Sequence, residues 1–580
     1  MENLKYTEIL QLNRTMSHQI KGNPYRVKVL SNVTVNSIKE LLDYVLYANQ
    51  INPSVEIGNY DNIVQDSSKC EDVVTVIIIF DVLNIVDGIQ EFFEDLSDEM
   101  YNSIKFKILS EIDIVFKNLN STPTVIFNLF SASGFVSSSF GVTKLELLVS
   151  ELNGYLYEIK PLNVTLVNID KVIAQIGVNQ SYDLRMYHSS KAPYTLAFLK
   201  KYLSSIEPII LKNTGKLKKA IIFDCDNTLW NGILGEDGID KIEMSCRTHN
   251  GHVFNTIQQI AVYLSRQGVI VGLCSKNNEQ DVNEVINNHP DVVLKDKYIT
   301  VKKINWIDKA TNLKSIATEL NIGLDSIVFV DDSSFEINLI NEQLPEIVTL
   351  QVPKAIYEYQ NFILNAVYKY FNLSVKNIDS NKTELYKQQF IRESNKSKFA
   401  TIDEYLSSLE ISLSIDIDKK SQVQRIAELT QKTNQFNLTT IRYTENQIQN
   451  YIESLNTGVL TLSAQDKFGD NGITGLCLIK QDTQNANNAL IDVFLMSCRI
   501  IGRNIEFAFM DFIIDYLIGN KYESVSALYV PTKKNAQVDN FYDGLGYNLL
   551  STDNDSKLYT LNLSEYKKKN IEYIKLTTHK

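Results

Sequence analysis

Six cysteines in 580 residues, scattered at Cys70, Cys225, Cys246, Cys274, Cys477 and Cys498, give no disulfide-rich spacing. Basic residues are also in deficit: 57 Lys and Arg face 69 Asp and Glu, a net charge of −12. Phosphate backbones want a basic surface, so no nucleic-acid partner is expected. No apolar run approaches the roughly 20 residues a membrane helix needs. Residues 1–15 lack the apolar core of a signal peptide. Together these absences point to a cytoplasmic, reducing location with no membrane partner. Proline is scarce, at 10, while Asn, Ile and Lys are abundant. A genomic bias accounts for that, and no function is read from it. Repeats and low-complexity tracts are absent. What remains is a globular composition, 44% hydrophobic, at a length too great for one core. Three domains are the natural expectation.

Residues 221–230 read Ile-Ile-Phe-Asp-Cys-Asp-Asn-Thr-Leu-Trp. An apolar run ends in Asp224, Asp226 and Thr228. Two carboxylates one residue apart at a strand end raise each other's pKa unless a cation or substrate offsets them. The usual offset is Mg²⁺, which takes oxygen ligands and keeps positions open for a phosphate. A second apolar run, 269–273, ends in Cys274, Ser275, Lys276 and Asn277. A third, 326–330, ends in Asp331 and Asp332. Lys309 lies 22 positions before Asp331, at the start of a helical stretch with Leu313, Ile316, Ala317 and Leu320 on one face. Any one of these acids could be an ordinary capping or turn residue. Several strands each ending in such residues predict a parallel α/β sheet with its site at the strand C-termini.

In order, these segments resemble motifs I, II, III and IV of the haloacid dehalogenase (HAD) superfamily. The resemblance implies Asp224 as a nucleophile that forms an aspartyl-phosphate and Asp226 as general acid/base. It implies Thr228, Ser275, Lys276 and Asn277 as substrate binders and Lys309 as a charge clamp. Asp224, Asp226, Asp331 and Asp332 would hold Mg²⁺. Only 46 residues separate Thr228 from Ser275. They must build a helix near 253–267 and a flap, read as a β-hairpin from the turn signals at 230–232 and 235–238. No room is left for a cap domain, so the site is expected to be open to a phosphate carried on something bulky.

Apolar runs at 27–30, 73–82, 124–130 and 164–169, with amphipathic stretches at 37–47 and 90–119 between them, predict a parallel α/β unit over residues 1–212. It resembles the SGNH-hydrolase (flavodoxin-like) fold. Yet Leu30-Ser31-Asn32 stands where that family has Gly-Asp-Ser, and Asp183 and His188 are five apart rather than three. A non-catalytic domain is expected. The HAD-like domain spans 217–370, a linker 372–382, and a third α/β domain 383–580. In the third, Arg499-x-x-Gly502-x-Asn504 resembles the GNAT acyltransferase loop whose backbone N–H groups cradle a pyrophosphate. Asn504 replaces that motif's final small residue, which puts tight CoA binding in doubt. Residues 531–547 resemble the same fold's last motif segment. Cys246, His249 and His252 offer only three zinc donors and read better as a polar loop.

The three-domain order resembles the FkbH-like family along essentially the whole chain. The matched segments are 223–230, 235–238, 275–277, 306–309, 329–332, 434–437, 468–472 and 497–506. That resemblance implies glyceryl transfer: the three-carbon acid of 1,3-bisphosphoglycerate is loaded onto the phosphopantetheine thiol of an acyl carrier protein, then dephosphorylated, for polyketide-type biosynthesis. If the enzyme supplies a thiol, Cys225, Cys274 and Cys498 are candidates. Strand alternation turns the first two away from the acids. A helix N-terminus beside Cys498 would lower its pKa and favour it. Two other readings stay open: an uncapped HAD phosphatase of a free phosphometabolite, and an acyltransferase in surface-sugar or peptide tailoring.

Overall fold

The computed structural model describes residues 1, 4–85, 90–134, 141–371, 401–532, 534–553 and 555–579. The linker expected at 372–382 and the third domain's expected start at 383 lie outside the described residues. The chain packs as two compact units, residues 1–214 with 443–450, and residues 215–442 with 451–580.

The first unit holds a parallel five-stranded sheet in the order β2-β1-β3-β4-β5. Its strands are β1 (Tyr25–Ser31), β2 (Pro53–Ile57), β3 (Thr75–Ile79), β4 (Thr124–Asn128) and β5 (Val164–Val167). Every residue of β3 and β4 is buried, as expected where helices cover both faces of a parallel sheet. Strand β2 escapes the sequence pattern, because its residues are mostly partly exposed at the sheet edge. The runs at 73–82 and 164–169 each end in a helix rather than a strand, at Val82–Ile85 and Ile169–Ile176.

Strand order reverses between β1 and β3, where open α/β sheets place ligands. Here the chain's own polar groups fill that point. The Asp81 N–H donates to Asn32 Oδ1 at 2.7 Å, and Asn32 Nδ2 donates to the Asp81 carbonyl at 2.8 Å. Tyr194 Oη donates to the Asp81 carboxylate, whose pKa burial raises. Asp183 accepts from the Met186 N–H to cap the helix Leu184–Ser190, and His188 sits in that helix's last turn.

Among the described residues, the second unit contains two sheets. The first is parallel, in the order β10-β9-β6-β7-β8, built of β6 (Ala220–Phe223), β7 (Ile270–Ser275), β8 (Val301–Ile304), β9 (Ile327–Asp331) and β10 (Val348–Gln351). Gly272 of β7 lies between β6 and β8. A Cβ there would stand 2.7 Å from Ile222 Cδ1 and from Val301 Cγ1. Gly272→Val is therefore expected to lower stability by roughly 1–3 kcal/mol through overpacking. Urea unfolding checks this; an unchanged midpoint would mean that β7 can shift without loss.

Between β6 and β7 the expected β-hairpin does not form. Residues Leu234–Asp237 make a short helical turn, closed by one bridge between Asn231 and Glu243. Asp237 Oδ2 accepts from the Ile233 N–H at 2.8 Å, which turns the segment back on itself. The polar loop expected at 246–252 is also corrected. Thr248 caps a helix at His249–Arg266, so both histidines lie in its first turn. No further sheet is inserted between β6 and β9.

The second sheet of this unit has nine strands: β11 (Ser412–Ile417), β12 (Phe436–Asn437), β13 (Thr457–Asp466), β14 (Gly469–Gln481), β15 (Asn488–Met496), β16 (Ser524–Tyr529), β17 (Asn548–Asp553), β18 (Ser556–Asn562) and β19 (Lys575–His579). β15 and β16 pair in parallel over 488–491 and 524–527 and pair no further. Beyond that point Phe436 and Asn437 pair antiparallel with β15. The Leu438 N–H donates to the Phe494 carbonyl, and the Val530 N–H to the Leu438 carbonyl. Parting strands leave backbone groups that need partners, and this segment supplies them.

Candidate active site

The strand order of the five-stranded parallel sheet in the second unit reverses between β6 and β9, and the acids gather there. Asp224 follows β6, and its N–H donates to the Val330 carbonyl on β9 at 2.9 Å. Asp331 is the last residue of β9. Ligand oxygens of Asp224, Asp331 and Asp332 lie within 4.8 Å of one another.

Lys309 is the first residue of the helix Lys309–Glu319, which Asp308 caps. Its Nζ lies 3.0 Å from Asp224 Oδ2 and 2.6 Å from Asp331 Oδ2. All three side chains are buried. Burial works against the Lys309 charge, but the two carboxylates outweigh it and hold the ammonium above the usual lysine range. Burial, then the Asp224 charge, pushes Asp331 up to about 7 against the pull of Lys309. The same two causes raise Asp332. One cation against three acids is too little positive charge, and that shortfall fits a divalent ion with oxygen ligands.

Two further atoms fit a ligand. Asp224 Oδ1 and Thr228 Oγ1 are buried and find no hydrogen-bond partner among the described residues. Such orphaned groups are costly unless something fills the site. Ser275 ends the neighbouring strand β7, also buried.

Asp226 departs from the four-carboxylate metal set. Its side chain is outside the three-acid group. Oδ1 accepts from Trp230 Nε1 at 2.9 Å and from the Leu234 N–H at 3.0 Å, and Oδ2 accepts from Asn277 Nδ2 at 2.8 Å. Three donors engage this carboxylate within the protein, and the three-acid group forms without its side chain. Burial raises its pKa in spite of them. Asn277 is thereby engaged with Asp226, and Lys276 with Glu336 at 2.7 Å. Glu336 was missed in the sequence reading; its other oxygen is buried without a partner among the described residues. Its position four residues after Asp332, in the first turn of the helix Ser334–Gln343, was the available signal.

Cys498, Arg499, Gly502 and Asn504 follow the end of β15 in the nine-stranded sheet. Cys498 opens only a three-residue turn, Cys498–Ile500, and the α-helix begins at Ile505. The helix expected beside the cysteine therefore begins seven residues beyond it in the chain. Arg499 is buried, with Nε donating to Ser497 Oγ and its carbonyl accepting from Arg503 Nη2. Gly502 and Asn504 have φ of +80° and +60°, and Asn504 Nδ2 donates to Tyr573 Oη at 2.8 Å. These contacts engage Arg499 and Asn504 within the protein itself. Cys225 and Cys274 are buried, and burial pushes both thiols far up.

Among solved structures, the chain is similar to the N-terminal part of a Bacteroides fragilis protein containing a phosphatase domain, crystallised in complex with Mg. The identity is 22%, the match covers 64% of this chain and 99% of that one, and the TM-score is 0.55. At that identity the shared fold is what the likeness shows. A GNAT-family acetyltransferase from Desulfovibrio desulfuricans matches at 9% identity over 26% of this chain and 99% of its own, TM-score 0.21. The ribosomal-protein-S18-alanine N-acetyltransferase of Escherichia coli matches at 11% over 27% and 97%, TM-score 0.21. No family model matches the chain, and no curated protein does. No described helix is long and apolar enough to cross a membrane.

Proposed function

We propose that this chain is an FkbH-like enzyme of three domains, 1–212, 217–370 and 383–580, that couples acyl transfer to phosphate removal. The observation that carries the reading is Lys309 lodged between Asp224 and Asp331, beside the orphaned oxygens of Asp224 and Thr228. That set suits a phosphoryl group whose charge must be held while it is transferred.

Asp224 is placed to attack phosphorus with a carboxylate oxygen, forming an aspartyl-phosphate as the substrate's alkoxide departs with a proton from Asp226. Water then attacks the aspartyl-phosphate and returns a proton to Asp226. Inorganic phosphate leaves, and both acids are regenerated. Thr228, Ser275 and Lys309 bind the phosphoryl oxygens. Asp224, Asp331 and Asp332 would hold Mg²⁺, which when bound offsets the gathered negative charge.

The substrate reading is finer. The site is uncapped, so the phosphate can arrive on a tethered group. The carrier's thiol sulfur attacks the acyl-phosphate carbonyl of 1,3-bisphosphoglycerate, a thioester forms and inorganic phosphate is expelled. The phosphoglyceryl thioester is then dephosphorylated at Asp224. The test is intact-protein mass spectrometry with Mg²⁺, 1,3-bisphosphoglycerate and a phosphopantetheinylated carrier. The expected result is a glyceryl adduct that becomes phosphoglyceryl with Asp226→Asn. Phosphate release from free metabolites with no adduct on the carrier would instead establish a small-molecule phosphatase.

A further inference from the structure

Asp226 is held by three donors, and their distribution over its two oxygens is unequal. Oδ1 accepts from Trp230 Nε1 and from the Leu234 N–H. Among the described residues, Oδ2 accepts from Asn277 Nδ2 alone. A carboxylate oxygen offers two in-plane lone pairs, so Oδ1 is filled and Oδ2 keeps one position. The donors come from three separate pieces of chain. Trp230 follows the strand end by a few residues, Leu234 opens the short helical turn, and Asn277 follows the adjacent strand β7.

The segment that carries Trp230 is itself fixed. Trp230 is among the largest fully buried side chains of the protein, and its backbone bridges to that of Asp226. The carbonyl of neighbouring Leu229 accepts from Gln258 Nε2 at 2.8 Å, and that of Thr228 from Tyr359 Oη at 3.2 Å. Asn227, between the two acids and this anchor, has a φ of +50°, and its Oδ1 accepts from the Gly232 N–H at 3.0 Å. The backbone therefore turns sharply after Asp226 and brings the indole back beneath the carboxylate.

From this geometry we propose that Trp230 and Asn277 are positioning residues that act through Asp226: the indole and the Leu234 N–H occupy Oδ1, leaving Oδ2 as the oxygen that passes the proton to the leaving group. This deepens the phosphatase reading and rests on it. The sequence reading placed Asn277 at the substrate; the clamp gives its amide a different task. Neither Trp230 nor Asn277 need touch substrate.

A leaving group's need for a proton separates positioning from a merely structural part. An alkyl phosphate expels a strongly basic alkoxide and depends on the acid, whereas phenyl phosphate expels a far weaker base. The experiment measures kcat and KM of the full-length protein with Mg²⁺ on ethyl phosphate and phenyl phosphate, for wild type, Trp230→Phe and Asn277→Ala. Expected is a loss in kcat/KM, which reports expulsion of the leaving group and not the shared hydrolysis of the aspartyl-phosphate, of about 10- to 100-fold on ethyl phosphate, a part of the usual general-acid contribution, with a much smaller loss on phenyl phosphate. Should Trp230→Phe fail to fold, Asn277→Ala carries the test from the other oxygen. Equal losses on both substrates in a folded variant would overturn the clamp. Wild type inactive on both, and inactive on the carrier-borne substrate, would instead remove the phosphatase reading beneath it.

Discussion

Asp224→Asn is expected to abolish phosphate release from a phosphate ester, by about 10⁴-fold or more if the carboxylate acts with its neighbours as a catalytic unit, and to leave the protein as stable as wild type or more so. The amide matches the carboxylate in shape, and its oxygen can still accept from Lys309, which lies 3.0 Å from Asp224 Oδ2. One negative charge leaves a group of three acids, of which the two buried ones, Asp224 and Asp331, share a single lysine. Like charges in that setting repel, so removing one relieves the fold while removing the nucleophile. Phosphate release and urea unfolding, measured on the same preparation, check both halves. Turnover that survives in Asp224→Asn would sink the aspartyl-phosphate mechanism and favour an acyltransferase with an idle phosphatase site.

Lys309→Met is expected to behave in the opposite way on stability while losing activity as well. The substitution removes the cation that bridges Asp224 and Asp331 and leaves both carboxylates buried without it. Breaking a buried pair from one side costs about 3–5 kcal/mol. Methionine fills similar volume, so the loss would reflect charge rather than a cavity. Added Mg²⁺ should recover more stability in this variant than in wild type, because a bound cation replaces part of the missing charge. Urea unfolding with and without Mg²⁺ gives the comparison. A variant as stable as wild type in both conditions would mean that the acids are not held together by Lys309.

The two outcomes together mark a site built against the fold's own stability. An acid removed there should do no harm to folding, and the lone cation removed should do much. A surface ion pair would give neither result, since exposed pairs contribute little.

Sequence alone determined the strand ends at which these polar residues stand. Asp224, Ser275 and Asp331 could be placed because buried parallel strands are short apolar runs, and the residues just past them stand at the sheet's C-terminal edge. Lys309 could be placed at a helix start because Leu313, Ile316, Ala317 and Leu320 recur at helical spacing. Local patterns of this kind depend on residues close in the chain. Other features were decided only by contacts between distant segments. Strand β2 went unseen because an edge strand needs no fully apolar run. The flap became helical because Asp237 reaches the Ile233 N–H, which no turn signal revealed. The Asp226 carboxylate stands outside the three-acid group because Asn277, 51 residues away, meets it, and because Trp230 folds back on it. The helix expected beside Cys498 starts only at Ile505. Sequence spacing fixes which residue ends a strand; which oxygen a carboxylate turns toward its neighbours is settled by tertiary hydrogen bonds, and those are absent from any local pattern.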